Sequence, residues 1–153
     1  MNVAVASRQH TRKINLRLLK KIARALLAEL ELENAEFGIC LVAAPEMTRL
    51  NETFLKHKGT TDVITFDHSD PSSQTPAPSP NIHGEIFVCV DEAVLQARKF
   101  GTTWQSEVVR YLVHGVLHLV GFDDSSAGAR RKMKREENRR LREITRCFPL
   151  SKL

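Results

Sequence analysis

No apolar run in these 153 residues approaches the roughly 20 needed to cross a bilayer. The longest mostly apolar stretch, Tyr111 to Phe122, is broken by His114 and His118, which argues against a membrane protein. The opening residues, Met1 to His10, lack a basic segment followed by a long apolar run and a small-residue cleavage site, so no secretory signal is expected. Cysteine is scarce: Cys40, Cys89 and Cys147 are odd in number, far apart and form no C-x-x-C pair. They read as reduced thiols, and the expected location is the cytoplasm. No internal repeat is present, and the length suits one compact domain with one core.

What the chain does have is positive charge, unevenly placed. The total is 23 Lys and Arg against 18 Asp and Glu, for a net +5. Residues 129–146 alone hold nine basic side chains against three acidic ones, which leaves the rest of the chain at 14 against 15. A basic element on a near-neutral body points to a polyanionic partner. Nucleic acid is favoured over membrane, because the segment is too weakly apolar to anchor in lipid. The plainer reading is a solvated helix face that keeps the protein soluble.

Hydrophobic spacing predicts the elements. Asn2–Ser7 alternates as a first strand, and apolar residues from Ile14 to Leu32 recur at helical spacing through Leu16, Leu19, Ile22, Ala23, Leu26 and Leu30. Phe37–Ala43 reads as a buried strand, and Pro45 opens a short helix through Met47, Leu50 and Phe54. Asp62–Phe66 and Glu85–Val90 are further strands. Asp91 is the expected cap of a helix over 92–100, and Thr103 that of a helix from Trp104 to Val120, stopped by Gly121. A last, basic helix covers 127–146. Between Phe66 and Gly84 lie four of the six prolines with several serines, which predicts a mobile loop over 68–83. The fold class is α+β: a single domain with a small mixed sheet of about four strands packed with about five helices, the later helices gathered at the C-terminal end.

The sharpest chemical signal lies in the Trp104–Val120 helix and just beyond it. His114 and His118, four apart, project from one helical face, so both imidazoles reach one metal ion. Gly121 lets the backbone leave the helix and turn back, bringing Asp124 within reach as a third ligand. H-x-x-x-H-x-x-G-x-x-D is thus the pattern of an open metal site with a vacant position for water or substrate. Six histidines give a pair at this spacing by chance often enough that the weight rests on the added glycine and carboxylate; the alternative is a pair of core histidines. The zinc peptidase pattern H-E-x-x-H places a general base beside the first histidine, and here that position is Gly115. A base must then come from the metal's own water or a carboxylate elsewhere; Asp123 is one candidate, with a turn role the more ordinary reading.

The segment His114-Gly115-Val116-Leu117-His118-Leu119-Val120-Gly121-Phe122-Asp123 resembles the motif of the YbeY family, single-strand-directed, metal-dependent endoribonucleases of ribosomal RNA maturation. Asn51–Phe66, with Thr61-Asp62-Val63-Ile64-Thr65-Phe66 at its end, is similar to the family's L-N-x-x-[Y/F] and T-D-V-L-S-F segment; Gly84-Glu85-Ile86 is similar to its G-D-I, and Met133–Glu137 to part of its last helix. The resemblance spans roughly residues 35–145. It departs in two places. Asp124 stands where the third histidine is usual, which makes the site one charge less positive, its water less acidic and harder metals better tolerated. Leu55 stands where the family commonly has an arginine directed at RNA phosphate, and Lys56, His57 and Lys58 follow it. Lysine supplies a point charge without the bidentate fork.

The resemblance implies that residues 1–153 form one zinc-dependent endoribonuclease domain, with His114, His118 and Asp124 as catalytic metal ligands. One zinc ion per chain is expected, or another divalent metal in its place. The expected substrate is single-stranded RNA, in particular ribosomal RNA, with the small ribosomal subunit or assembly factors as partners and no membrane. Lys56, Lys58, Arg130, Arg131 and Lys134 are the expected RNA-binding residues. Asp62 is a candidate for holding a histidine tautomer. Trp104 and Tyr111 are assigned to the core, and His10, His68 and His83 to the surface. The alternatives are a non-catalytic ribosome-assembly factor with a structural metal and, against the missing glutamate, a metallopeptidase.

Overall fold

The computed structural model describes residues 1–69 and 82–153, so the central Pro/Ser segment of the expected mobile loop lies outside the described residues. The elements are β1 (Asn2–Arg8), α1 (Leu16–Glu29), β2 (Glu36–Val42), α2 (Ala44–Leu50), β3 (Val63–Asp67), β4 (His83–Cys89), α3 (Val90–Phe100), α4 (Trp104–Leu119) and α5 (Ala127–Cys147). The sheet runs in the order β1-β2-β4-β3, with β1, β2 and β4 parallel and β3 antiparallel to β4. This is the mixed four-stranded α+β domain that the order of strands and helices predicts.

Strand alternation divides the core. Phe37, Ile39 and Leu41 of β2 and Ile86 and Val88 of β4 face α1, α3 and α4 in the main core. Cys40, Val42, Phe87 and Cys89 face the opposite way and pack with Met47 of α2 and Ile64 of β3. Cys40 and Cys89 share that layer without a disulfide: all three cysteines are free thiols, Cys147 exposed. Burial pushes the Cys40 and Cys89 thiols up, as expected for inert core residues. No helix of the described residues is long and apolar enough to cross a membrane.

Three boundaries differ from the sequence expectation. Helix α1 ends at Glu29, because Glu31 takes a left-handed conformation (φ 58°) and the chain turns there. The helix expected through Phe54 gives way after Leu50 to a wider π-helical turn over Asn51–Leu55. The buried Asn51 side chain donates to the Gly59 carbonyl at 2.9 Å, tying the turn to the segment that follows. Asp91 is not a cap: α3 starts one residue earlier, at Val90. Its carboxylate accepts from the Ala44 amide at 2.6 Å and from the Thr11 hydroxyl, so it joins the starts of α2 and α3 to the β1–α1 connection.

Candidate metal centre and the cavity beside it

Helix α4 is both core and site. Val108, Val109, Leu112, Val113, Val116 and Leu117 are buried against the sheet and its neighbours. The other face carries Glu107, Arg110, Tyr111, His114 and His118, three or four residues apart. Thr103 caps the helix, accepting from the Ser106 amide at 3.2 Å.

Gly115 explains the glycine beside the first histidine. A Cβ there would lie 2.5 Å from Ile86 Cδ1 and 3.1 Å from Thr65 Cγ2, so this side of α4 rests directly on β3 and β4. A glutamate at 115 would run into Ile86 instead of reaching the histidine face.

The helix then ends in a pair of backbone hydrogen bonds, Gly121 N–H to the His118 carbonyl and Phe122 N–H to the Leu117 carbonyl, both 3.0 Å, with Gly121 at φ 103°. This is the Schellman ending, and a φ as large as 103° at its left-handed position strongly favours a residue without a Cβ. It returns the chain so that Asp124 Oδ2 lies 3.6 Å from His118 Nε2. His118 Nε2 and His114 Nε2 are 3.1 Å apart, and one ligand atom from each of the three residues falls within 4.8 Å of the others. A tetrahedral ion with bonds of about 2.0–2.1 Å needs its ligand atoms about 3.3 Å apart. The two pairs that include His118 lie near that spacing, so the triad is able to hold such an ion with a small inward shift of Asp124 toward His114, and two imidazoles with a carboxylate are a donor set suited to zinc and to harder divalent metals.

Glu137 fixes the first imidazole. It is 4% exposed, and its Oε2 accepts from His114 Nδ1 at 2.9 Å, which places the proton on Nδ1 and leaves the Nε2 lone pair for a metal. Arg110 donates to Glu137 Oε1 at 2.8 Å and to Asn138 Oδ1 at 2.9 Å, and Lys134 Nζ stands 3.4 Å from the same Oε1. Burial raises the Glu137 carboxyl, but the hydrogen bonds from His114 and Arg110 and the Lys134 charge outweigh it and hold the group at about 2. The tautomer-holding role expected of Asp62 therefore belongs to Glu137. Asp62 Oδ1 instead accepts from the Val63 amide at 2.8 Å and the Thr61 hydroxyl at 3.2 Å. The signal for Glu137 was present: with Met133 and Ile144 it forms the buried stripe of α5, so a carboxylate occupies an apolar position. Arg110, one turn before His114, carried the same kind of signal.

Asp123 accepts from the Ser125 amide at 2.9 Å and from the Ser125 hydroxyl, and these bonds pull its carboxyl below the usual range. That is a turn role.

Beside the triad opens a cavity of about 730 Å³ between α3, α4 and α5, with His114 and Asp124 in its wall. Arg110, Arg130, Arg131 and Lys134 line it too. Lys56 and Lys58 do not; they are exposed on the turn after α2. Farther along α5 most basic residues are paired, Arg139 and Arg140 with Glu136, Arg140 also with Glu29, and Arg146 with Glu143, while Arg142 has no carboxylate partner among the described residues. Arg130 and Arg131 have no carboxylate partner among the described residues. The start of α5, nearest the triad, thus carries two arginines whose charge no carboxylate offsets.

Fold and site together define a small α+β protein whose central helix carries a side-chain triad able to hold a metal ion. The chain belongs to the family described as Endoribonuclease YbeY, whose model matches residues 4–145. An endoribonuclease YbeY of Myxococcus xanthus is 39% identical over 127 residues, covering 83% of this chain and 42% of the relative. One of Salinibacter ruber is 37% identical over 97 residues, 63% of this chain and 62% of the relative. The chain therefore spans about half the length of these two relatives. The Aquifex aeolicus relative is 32% identical over 142 residues, covering 93% of this chain and 86% of its own. A solution structure of a Thermotoga maritima protein shares the fold, with a TM-score of 0.66 at 24% identity, over 97% of this chain and 95% of that one.

Proposed function

We propose that this protein is a metal-dependent endoribonuclease that cleaves single-stranded RNA, with ribosomal RNA in maturing ribosomes as its substrate and the cytoplasm as its place of action. The observation that carries the reading is the convergence of His114 Nε2, His118 Nε2 and an Asp124 carboxylate oxygen at the mouth of a cavity edged by arginine and lysine. Family membership supports RNA as the substrate class, and the unpaired Arg130 and Arg131 support a phosphate backbone as the ligand. We assign one zinc ion to the triad, with another divalent metal able to replace it.

When bound, the ion supplies Lewis acidity toward a phosphate oxygen and toward water. The chain's own residues do the rest. Glu137 keeps His114 in the tautomer that presents Nε2, and Arg110 keeps Glu137 in place. Arg130, Arg131 and Lys134 draw the strand along the cavity edge, while Lys56 and Lys58 offer charge outside it for the flanking strand.

The test is cleavage of single-stranded RNA by the zinc-loaded protein with His114→Ala as control. A loss on the order of a hundredfold or more is expected, since the metal's transition-state stabilisation amounts to several kcal/mol. Equal activity in the variant overturns the reading. Metal content of Asp124→Ala checks the third ligand: the variant is expected to lose most of its bound metal, and full retention removes Asp124 from the site. A protein that melts at lower temperature on chelation yet never cleaves RNA is instead an assembly factor with a structural metal.

A further inference from the structure

The cavity has two chemically distinct ends. Beyond the basic edge and the triad, the side of the cavity toward the end of α3 and the start of α4 is lined by Asp62, Glu107, Tyr111, Thr102, Gln96 and Phe100. Glu107 is 7% exposed; one of its oxygens accepts from the Thr102 hydroxyl at 2.8 Å, and the other has no side-chain donor among the described residues. Tyr111 is 5% exposed, and its buried hydroxyl has no hydrogen-bond partner among the described residues. Burial, with Asp62 and Glu107 nearby, pushes its phenol up, so it is a neutral O–H. A buried hydroxyl without a partner is costly in a finished structure and is expected where a ligand completes the set. Phe100, at the end of α3, is 64% exposed and presents a ring to the same space.

Carboxylates at this end repel phosphate, so a strand whose phosphate lies at the basic edge must place something else there. Glu107, Tyr111 and His114 follow one another along one face of α4. The seven residue steps from Glu107 to His114 rise about 10 Å along the axis, a span suited to a nucleotide with its phosphate near the triad and its base toward Glu107. The available groups are a carboxylate that only accepts and a hydroxyl free to donate. Guanine is the base whose pairing edge sets two donors, N1–H and N2–H, beside an acceptor, O6. Adenine and cytosine present a ring acceptor next to their amino group, which faces a carboxylate unfavourably, and uracil has a single donor between two acceptors.

We propose that this end of the cavity is a base-reading subsite selecting guanosine in the bound RNA strand. Glu107 accepts from N1–H and N2–H, Tyr111 donates to O6, and the ring stacks on Phe100. The assignment rests on the endoribonuclease reading for its strand, but it makes a separate claim about binding.

The experiment measures anisotropy of fluorescein-labelled short oligouridylates carrying one central guanosine, inosine or adenosine, with the full chain in EDTA so that no cleavage intervenes. The guanosine strand is expected to bind about tenfold tighter than the adenosine strand, with inosine, which lacks the N2 amine, between them. Glu107→Gln is expected to bring guanosine to within about twofold of adenosine, and Tyr111→Phe to weaken guanosine about threefold. Tyr111→Phe removes a hydroxyl that bonds to nothing in the free protein, so it keeps the fold and serves as a test even if Glu107→Gln unfolds. Phe100→Ala weakens all three strands alike, since stacking tolerates any base. Equal affinity for guanosine and adenosine strands in the unmodified protein overturns the subsite, as does a preference that survives both Glu107→Gln and Tyr111→Phe. Free GMP is expected to compete at least about tenfold less well than the guanosine strand, because it forgoes the neighbouring phosphates. Competition as strong as the strand's makes this a mononucleotide site and overturns the strand assignment. If guanosine is preferred in binding while no strand is cleaved with zinc present, the endoribonuclease reading fails and the subsite stands.

Discussion

Helices α4 and α5 lie side by side and share the site, yet they are built from opposite materials. Helix α4 is apolar on most of its surface and carries a few polar side chains on one face; α5 is dominated by Lys, Arg and Glu and buries only Met133, Glu137 and Ile144. In α4 the exceptional residues are the histidines, Arg110 and Glu107. In α5 the exceptional residue is a carboxylate in the buried stripe. In both helices the informative side chain is the one that contradicts its surroundings, because only a compensating partner makes its position tolerable. Glu137 has three such partners, His114, Arg110 and Lys134, and two of them come from the other helix.

The contrast can be broken most severely at that carboxylate. Glu137→Ala leaves Arg110 and His114 without their acceptor and is expected to cost about 3 kcal/mol in thermal or denaturant unfolding. A metal titration of Glu137→Gln should show affinity lower by about 10–100-fold, the usual effect of removing the group that orients a ligand. Next in size is Gly115→Val, which inserts a side chain where Ile86 and Thr65 already sit; overpacking of about 2 kcal/mol is expected, with loss of metal affinity as α4 lifts from the sheet. Glu136→Ala, one residue from Glu137 but on the outer face with Arg139 and Arg140, should cost under about 1 kcal/mol. A larger loss there would erase the distinction between the two sides of α5. Smallest in stability is neutralising Arg130, Arg131 and Lys134 together. The melting temperature should barely move, while the salt dependence of RNA binding flattens by about two units of log-log slope. An unchanged slope returns the charge of α5 to mere solubility.

Much of this was legible from periodicity. The spacings that bury Leu19, Ile22 and Leu26 in α1 and Leu112, Val113 and Val116 in α4 are helical on sight, and His114, His118 and Asp124 stood out because glycine and carboxylate fell at the offsets a turned-back chain requires. What escaped notice depends on contacts between distant segments. Helical spacing sets Glu137, not Glu136, in line with Met133 and Ile144, but which partners hold it follows only from the packing of α5 on α4. Val90 continues an apolar strand in sequence but starts a helix, because Asp91 is bound by Ala44 and Thr11 from two other parts of the chain. The π-helical turn after α2 likewise depends on Asn51 reaching Gly59. Charge was read correctly in amount and coarsely in place, since ion pairs within α5 cancel much of its C-terminal half.

The direct seating of α4 on β3 and β4 at Gly115 also bears on motion. With no side chain between helix and sheet at that point, α4 cannot roll about its axis without opening a gap beneath buried Ile86. The two imidazoles inherit that immobility and hold their aim through the backbone. Amide hydrogen exchange along the middle of α4 should therefore be slow, with protection near the global unfolding limit whether or not an ion is added, while the amides of the turn bearing Asp124, beyond the bonded Phe122, are expected to exchange faster.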